Sequence, residues 1–276
     1  MKSISLVLLF VAAAVALPLE DDQFFYGIEA RIAGGQVAQP NQFPYQVGLK
    51  LTKFIKGLVF SAWCGGSLIS DQVVLTAAHC LENSNGGMVY LGAHNRDAAK
   101  EDGRKLVKIR KSNYIVHEKY DDFLHTDDIA LIVLPEKVEL TDKISLINLP
   151  RASKFDVDGR VAIASGWGRT GDAKNSTTSV LRFADQRIMS DDYCMKPYGI
   201  LMPSQICVST ANGKSACQGD SGGPLAIEET DGSKTVVGLT SYGKVYGCEK
   251  GYPVIFTRVS YYLSWIHEKT GIPVGN

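Results

Sequence analysis

The sequence has no charge excess, no internal repeat and, after residue 17, no long hydrophobic run. Its 29 basic and 29 acidic side chains cancel, so nothing electrostatic favours nucleic acid or an acidic membrane as a partner. The six cysteines include no Cys-x-x-Cys pair, which argues against a cytosolic metal site. Long helical periodicity is also missing until the C-terminus. These absences exclude a nucleic-acid-binding module, a repeat protein and a mainly helical fold.

The N-terminus carries one early positive charge, at Lys2, followed by an apolar stretch from Ile4 to Leu17 with small residues at Ala14 and Ala16. This pattern predicts a secretory signal peptide over residues 1–16. The stretch is too short to cross a bilayer comfortably. We therefore expect a secreted, extracellular protein that has no membrane partner.

The cysteines of an exported chain are expected to form disulfides. Six cysteines most simply mean three bridges, and the count alone permits 15 pairings.

Short β-rich runs separated by turn residues fill most of the chain. Many strands at short spacing predict an all-β barrel or sandwich. Residues 259–269 place apolar side chains at helical intervals before Gly271 and Pro273, so one C-terminal helix is expected. The predicted strands cover residues 45–51, 67–75, 88–91, 106–109, 129–134, 161–164, 205–208, 224–227, 236–240 and 254–259.

Three segments carry residues suited to nucleophilic catalysis. They read Thr-Ala-Ala-His-Cys at 76–80, Asp-Asp-Ile-Ala-Leu at 127–131 and Cys-Gln-Gly-Asp-Ser-Gly-Gly-Pro at 217–224. A serine hydroxyl is a weak nucleophile and needs a base, which in turn needs a group that fixes its tautomer. The segments supply a histidine, a carboxylate and a serine in that order.

Together these segments resemble the chymotrypsin-like serine proteases of the trypsin fold. The start Ile-Ala-Gly-Gly-Gln at 32–36 and the overall loop style are similar to arthropod chymotrypsin and collagenase-like members. The resemblance covers residues 32–276. It implies an all-β fold of two six-stranded antiparallel barrels with a C-terminal helix, barrel 1 at about 32–145 and barrel 2 at about 146–276, and an active site in the cleft between them.

The resemblance also assigns roles. Ser221 would be the nucleophile, His79 the base and Asp128 the residue that orients the base, with Asp127 the nearest competitor. The N–H groups of Gly219 and Ser221 would form the oxyanion hole. The implied disulfides are Cys64–Cys80, Cys194–Cys207 and Cys217–Cys248.

No cofactor and no metal are implied. Ala93 stands where calcium-binding relatives carry a Glu, so a hard oxygen ligand is missing.

Activation is implied by Arg31 followed by Ile32. In the family, cleavage there removes a propeptide, here residues 17–31, and the new ammonium on Ile32 pairs with Asp220. The implied partners are protein or peptide substrates, an activating protease and proteinaceous inhibitors, and the expected state is a monomer. Asn175 heads a glycosylation acceptor sequence.

The resemblance places Ser215 at the floor of the primary specificity pocket, with Gly243 and Val254 on its walls. Ser241, Tyr242 and Gly243 would pair with the substrate as an added strand. An uncharged floor makes Lys and Arg poor substrates, because a buried cation would have no partner. We expect cleavage after Phe, Leu, Met or Tyr; elastase-like or collagenase-like specificity and a catalytically silent binding homologue are the alternatives.

Overall fold

The computed structural model describes residues 33–173, 177–244 and 246–274. The predicted signal peptide and propeptide lie outside these residues, as do Arg31, Ile32 and Asn175. Within the described ranges, no helix is both long and apolar enough to cross a membrane.

Most of the described chain forms short strands that build two antiparallel sheets. The helices are α1 (Ala78–Leu81), α2 (Asp191–Tyr198) and α3 (Leu263–Thr270), with 3₁₀ turns at Lys111–Asn113 and Val259–Tyr262. The strands are β1 (Gln36–Val37), β2 (Gln46–Ile55), β3 (Leu58–Leu68), β4 (Val73–Thr76), β5 (Ser84–Leu91), β6 (Lys105–Arg110), β7 (Tyr114–Val116), β8 (Ala130–Val133), β9 (Val161–Gly166), β10 (Arg182–Met189), β11 (Gln205–Val208), β12 (Pro224–Glu228), β13 (Lys234–Tyr242) and β14 (Val254–Arg258).

Both sheets curl into barrels. The first has the strand order β6-β5-β2-β3-β4-β8-β7. In the second, with the order β1-β10-β11-β14-β13-β12-β9, β9 also pairs with β10, which closes a ring of six strands and leaves β1 outside it. The predicted two-barrel fold with a C-terminal helix is confirmed, and β1 pairs with the second barrel although it precedes the first.

Some local predictions were wrong. The run 67–75 is not one strand, because Ile69 N–H donates to Val73 O at 3.0 Å and closes a turn between β3 and β4. The apolar run hides that turn. Strand β10 was missed because its inward positions include the polar Arg182 and Gln186, which mask the alternation expected of a strand. Helix α2 was missed as well.

The two barrels are tied together by buried contacts. Trp167 is fully buried, and its ring centroid lies 5.7 Å from that of Trp63 on β3. Helix α3 returns to the first barrel, where Trp265 Nε1 donates to Glu118 Oε2 at 3.0 Å. The three disulfides are Cys64–Cys80, Cys194–Cys207 and Cys217–Cys248, the pairing that the resemblance implied. These contacts fix the cleft that holds the candidate site.

Candidate active site

His79 and Asp128 meet at the edge of the first barrel. His79 lies in α1, and Asp128 lies two residues before β8. The carboxylate binds His79 twice: Oδ2 is 2.8 Å from Nδ1, and Oδ1 accepts the backbone N–H at 2.9 Å. This double contact fixes the ring and makes Nδ1 the protonated nitrogen, so Nε2 is left as an acceptor.

The second barrel completes the surroundings of Asp128. Ser241 Oγ donates to Asp128 Oδ2 at 2.5 Å, and Thr257 Oγ1 donates to Asp128 O at 2.7 Å. Sequence reasoning gave Ser241 only a backbone role, and no local signal could reveal a contact between residues so far apart in the chain. Asp127 faces elsewhere, because its Oδ1 accepts the Tyr262 hydroxyl at 2.8 Å.

The electrostatics of Asp128 favour its charged form. Burial alone raises the pKa of this carboxyl, but the charge of His79 and the hydrogen bonds from His79 and Ser241 outweigh burial and hold the pKa below its usual 3.8. A carboxylate that stays ionised can stabilise an imidazolium beside it.

Ser221 lies on the loop between β11 and β12, docked against the first barrel. Gly65 N–H donates to Ser221 O at 2.7 Å, and Cys80 Sγ lies 3.5 Å from Ser221 O and 3.8 Å from His79 Nε2. Gly222 makes this docking possible: a Cβ there would lie 2.2 Å from Thr76 Oγ1, and the φ of +73° also favours glycine. The backbone of Ser221 therefore lies next to Cys80, whose Sγ is close to the free nitrogen of His79.

The turn before Ser221 leaves two N–H groups unused. Asp220 N–H donates to Cys217 O at 2.9 Å, whereas the N–H groups of Gly219 and Ser221 have no acceptor among the described residues. Gly219 has a φ of +99°, and a Cβ on it would lie 2.6 Å from Thr177 Cγ2. A larger residue would therefore disturb the turn. Two unpaired N–H groups, one on Ser221 itself and one two residues before it, suit an oxyanion.

Asp220 is buried beneath this turn. Its oxygens accept the N–H groups of Gly168 at 2.7 Å and Cys217 at 3.0 Å. Burial raises the pKa of Asp220 to about 6, against the two N–H groups and the more distant charge of Arg96, which lower it. The charged form is therefore costly in this conformation.

This cost predicts a pH-dependent stability. The pKa of Asp220 in the folded chain, about 6, exceeds the usual 3.8, so between these pH values the folded chain binds more protons than the unfolded chain. The contribution of Asp220 to the free energy of unfolding therefore falls as pH rises through this window, by about 3 kcal/mol in all. We expect the unfolding free energy of Asp220→Asn, minus that of the parent chain, to rise by about 2 kcal/mol from pH 4 to pH 7, because at pH 4 the carboxyl is already partly ionised in the unfolded chain. Denaturant titrations of uncleaved chains measure it; a constant difference across these pH values would contradict it.

A cavity of about 120 Å³ opens beside Ser221. Four of the predicted pocket residues line it: Ser241, Tyr242, Gly243 and Val254. Val254 Cγ2 lies 3.7 Å from the position that a Cβ on Gly243 would occupy. The valine side chain therefore narrows the cavity opposite Gly243, which has no side chain. The residues that sequence reasoning did not place in the lining are Ala216, Cys217, Gln218, Thr240, Lys244, Gly247, Cys248 and Tyr252.

Ser215, the expected floor, does not line this cavity. It is fully buried, its N–H donates to Ala33 O at 2.8 Å, and its hydroxyl donates to Ala216 O at 2.8 Å. Ala216 is the lining residue in its place. Both Ala216 and Ser215 are uncharged, so neither could pair with a basic substrate side chain.

His125 packs against one of the residues that line the cavity. Its ring stacks on Tyr242, with centroids 5.1 Å apart and planes inclined by 22°. Nothing in its neighbouring residues signals this contact, which depends on how the two barrels dock.

The loop after β5, which contains Ala93, is held by its own side chains. Glu101 Oε1 accepts the N–H groups of His94 at 2.9 Å and Asn95 at 2.8 Å. Arg104 donates to Asn95 O at 3.2 Å and Ala98 O at 2.8 Å. A protein cation thus engages the carbonyl groups of this loop.

Comparison with known proteins agrees with this geometry. The trypsin family model matches residues 32–266. Over 242 residues the chain is 43% identical to brachyurin from Leptuca pugilator, which covers 87% of this chain and 99% of the relative. It is 41% identical to a chymotrypsin from Phaedon cochleariae, over 85% of this chain and 80% of the relative. A solved structure of HL collagenase is similar with a TM-score of 0.75 and 35% identity, covering 87% of this chain and 98% of that one.

Proposed function

The chain belongs to the trypsin family of serine endopeptidases, and from that premise we propose that it is a secreted endopeptidase made as a zymogen, which cleaves after uncharged apolar residues. The observation that carries the proposal is the paired contact of His79 with Asp128, next to the loop that carries Ser221. A silent binding homologue would have no need for this arrangement.

In the proposed mechanism, Ser221 Oγ attacks the peptide carbonyl while His79 Nε2 takes the hydroxyl proton. Asp128 stabilises the imidazolium, which then gives its proton to the leaving amine. The new acyl-enzyme is hydrolysed by water through the same proton transfers. The N–H groups of Gly219 and Ser221 stabilise the negative oxygen in both halves of the reaction.

Activation by cleavage between Arg31 and Ile32 would supply the missing partner of Asp220. Ala33, the residue after Ile32, is hydrogen-bonded to Ser215, five residues before Asp220. A new ammonium on the residue before Ala33 would give this buried carboxylate the full counter-charge that it lacks among the described residues. Pairing would remove the cost of ionised Asp220 and hold the turn that contains Gly219.

Secretion is supported by the N-terminal sequence and by three disulfides, which are typical of exported proteins. The partners of the secreted enzyme are then protein substrates, an activating protease and proteinaceous inhibitors. The enzyme itself is proposed to be a monomer. Glycosylation at Asn175 remains part of this proposal.

The specificity follows from a cavity whose lining, among the described residues, includes no carboxylate to pair with a basic side chain, and a peptide panel tests it. We expect the cleaved enzyme to hydrolyse substrates with Leu, Phe, Met or Tyr before the scissile bond at least about 100-fold faster, in kcat/KM, than those with Arg, because the cation would be buried unpaired. Preferred cleavage after Arg would contradict the proposed pocket.

Val254→Gly serves as the matched variant. Removing the valine side chain enlarges the cavity, so kcat/KM for Trp relative to Leu should rise by about tenfold. An unchanged ratio would show that Val254 does not limit the pocket. Preferred cleavage after Ala or Val by the parent enzyme would favour the elastase-like alternative.

A further inference from the structure

The outer face of the first barrel holds an open cavity of about 510 Å³, built mainly on β2, β5 and β6. It shares no lining residue with the cavity beside Ser221. Three of its lining side chains are cationic, three are apolar, and none is acidic. The cationic residues are Lys50, Lys108 and Arg110, and the apolar residues are Phe54, Met88 and Ile109.

The strand register sets two of these cations on either side of the methionine. Met88 on β5 lies opposite Lys50 on β2 and opposite Lys108 on β6, and residues paired in this way share one face of the sheet. The chain neighbours Leu49 and Val89 are fully buried inside the barrel. Because side chains alternate along a strand, the shared face is the outer one. An apolar centre therefore lies between two cations.

The three cations of this cavity have no carboxylate partner in the described part of the chain. Lys50, Lys108 and Arg110 are exposed, and no described carboxylate oxygen lies within 4.0 Å of their charged groups. Unpaired cations around an apolar centre are complementary to a partner that carries both carboxylates and apolar side chains.

The proposed propeptide has this complementary composition. Residues 17–31 carry four acidic side chains and one basic side chain. Their acidic-aromatic segment, residues 20–26, reads Glu-Asp-Asp-Gln-Phe-Phe-Tyr. The propeptide contains no cysteine, and all six cysteines of the chain are paired with one another. Apart from the chain itself, only non-covalent contacts can therefore hold it to the protein.

The length of the chain allows this segment to reach the cavity. Strand β1 pairs with β10, β10 pairs with β9, and Ser165 Oγ on β9 donates to Gln46 Oε1 on β2 at 2.6 Å. These contacts and the rise of the strands keep Ala33 within about 40 Å of Lys50. The chain from Asp21 to Ala33 can span up to about 43 Å.

We propose that this cavity binds the acidic-aromatic segment of the propeptide in the uncleaved chain. The carboxylates of the segment pair with the three cations, and its rings lie on Phe54 and Met88. Tethering gives the segment an effective concentration on the order of millimolar, so a weak affinity is enough to keep the cavity occupied. Cleavage after Arg31 removes the tether and lets the peptide dissociate. The name propeptide rests on the proposed function, whereas the docking itself requires no cleavage.

The test measures the binding of a labelled peptide of residues 17–31 by fluorescence anisotropy. The proteins are uncleaved chains that carry Ser221→Ala, which prevents hydrolysis of the peptide. One chain keeps its own propeptide unchanged; in the second, E20Q/D21N/D22N/F24S/F25S disables the acidic-aromatic segment. We expect the peptide to bind the second chain at least about tenfold more tightly, because the cavity of the first is already occupied. Equal affinities, or no binding to either chain, would overturn the proposal.

A third chain locates the binding site by adding K50Q/K108Q/R110Q to the chain with the disabled segment. These three side chains are exposed, so folding should be preserved, and the affinity for the peptide should fall at least about tenfold. The matched control, K137Q/R151Q/K154Q, removes three exposed cations elsewhere on the surface and should leave the affinity unchanged. Equal losses in the two triple variants would show that net charge rather than the cavity binds the peptide.

A second peptide separates the apolar centre from charge attraction. With F24S/F25S in the peptide, binding to the chain with the disabled segment should weaken about tenfold; unchanged binding would contradict the role of Phe54 and Met88. A change from dimer to monomer in K50Q/K108Q/R110Q on sedimentation, with peptide binding unchanged, would assign the cavity to a second copy and overturn the proposal.

None of these measurements uses hydrolysis. Failure of the proposed function is therefore separately visible, as a lack of anilide hydrolysis by the cleaved parent chain.

Discussion

Asp128→Asn is expected to lower kcat about 10⁴-fold while leaving the fold intact, the magnitude seen for the corresponding change in a related protease. The neutral amide removes the negative charge beside His79 Nδ1. It also presents an N–H₂ group that favours the wrong tautomer, with the proton on Nε2, where an acceptor is required. Ser221 then has no base.

Asp127→Asn is the matched control. Asp127 Oδ1 accepts the hydroxyl of Tyr262 at 2.8 Å, and an asparagine can accept the same bond. Its backbone φ of +51° is one that asparagine tolerates. We expect kcat within about twofold of the parent enzyme. Steady-state kinetics on one apolar anilide checks both variants, and equal losses would show that the orienting carboxylate has been misassigned.

Arg31→Gln is expected to give a folded protein whose hydrolysis rate, after treatment with an activating protease, stays at least about 10²-fold below that of the cleaved parent chain. Without cleavage there is no ammonium to pair with Asp220, so the buried carboxylate keeps its desolvation cost and the turn holding Gly219 is less well fixed. The loss expected for one oxyanion donor sets the magnitude.

Arg151→Gln controls for the loss of an arginine as such. Arg151 is exposed, and its contact with Asp231 is 3.9 Å long. This variant should be cleaved and become as active as the parent. N-terminal sequencing, thermal unfolding and anilide hydrolysis are measured on the same samples. Full activity of unprocessed Arg31→Gln would refute the proposed activation.

The features predicted well from sequence are those encoded within a few residues. The segments around His79, Asp128 and Ser221 carried enough pattern to identify the family, and the family supplied the barrels and the disulfide pairing. The contact of Ser241 with Asp128 and the stack of His125 on Tyr242 were beyond local reasoning, because each joins elements whose positions depend on barrel docking.

The outer half of the hairpin formed by β2 and β3 was missed for a different reason. Residues 53–60 place apolar side chains on both faces, so the alternation that normally indicates a half-buried strand is absent. Ser215 is a second case. Its position in the motif predicts a pocket floor, but the motif does not encode its burial or its hydrogen bonds with Ala33 and Ala216. Burial and hydrogen bonding decide such details, and both are properties of the whole fold.

The most direct test of the account is covalent labelling of the cleaved chain with a fluorophosphonate, followed by peptide mapping. The proposed transfer of a proton from Ser221 to His79 predicts one label per chain, on Ser221, and a labelling rate that falls in Asp128→Asn in parallel with kcat. A label on another residue, or hydrolysis that persists in Ser221→Ala, would contradict it.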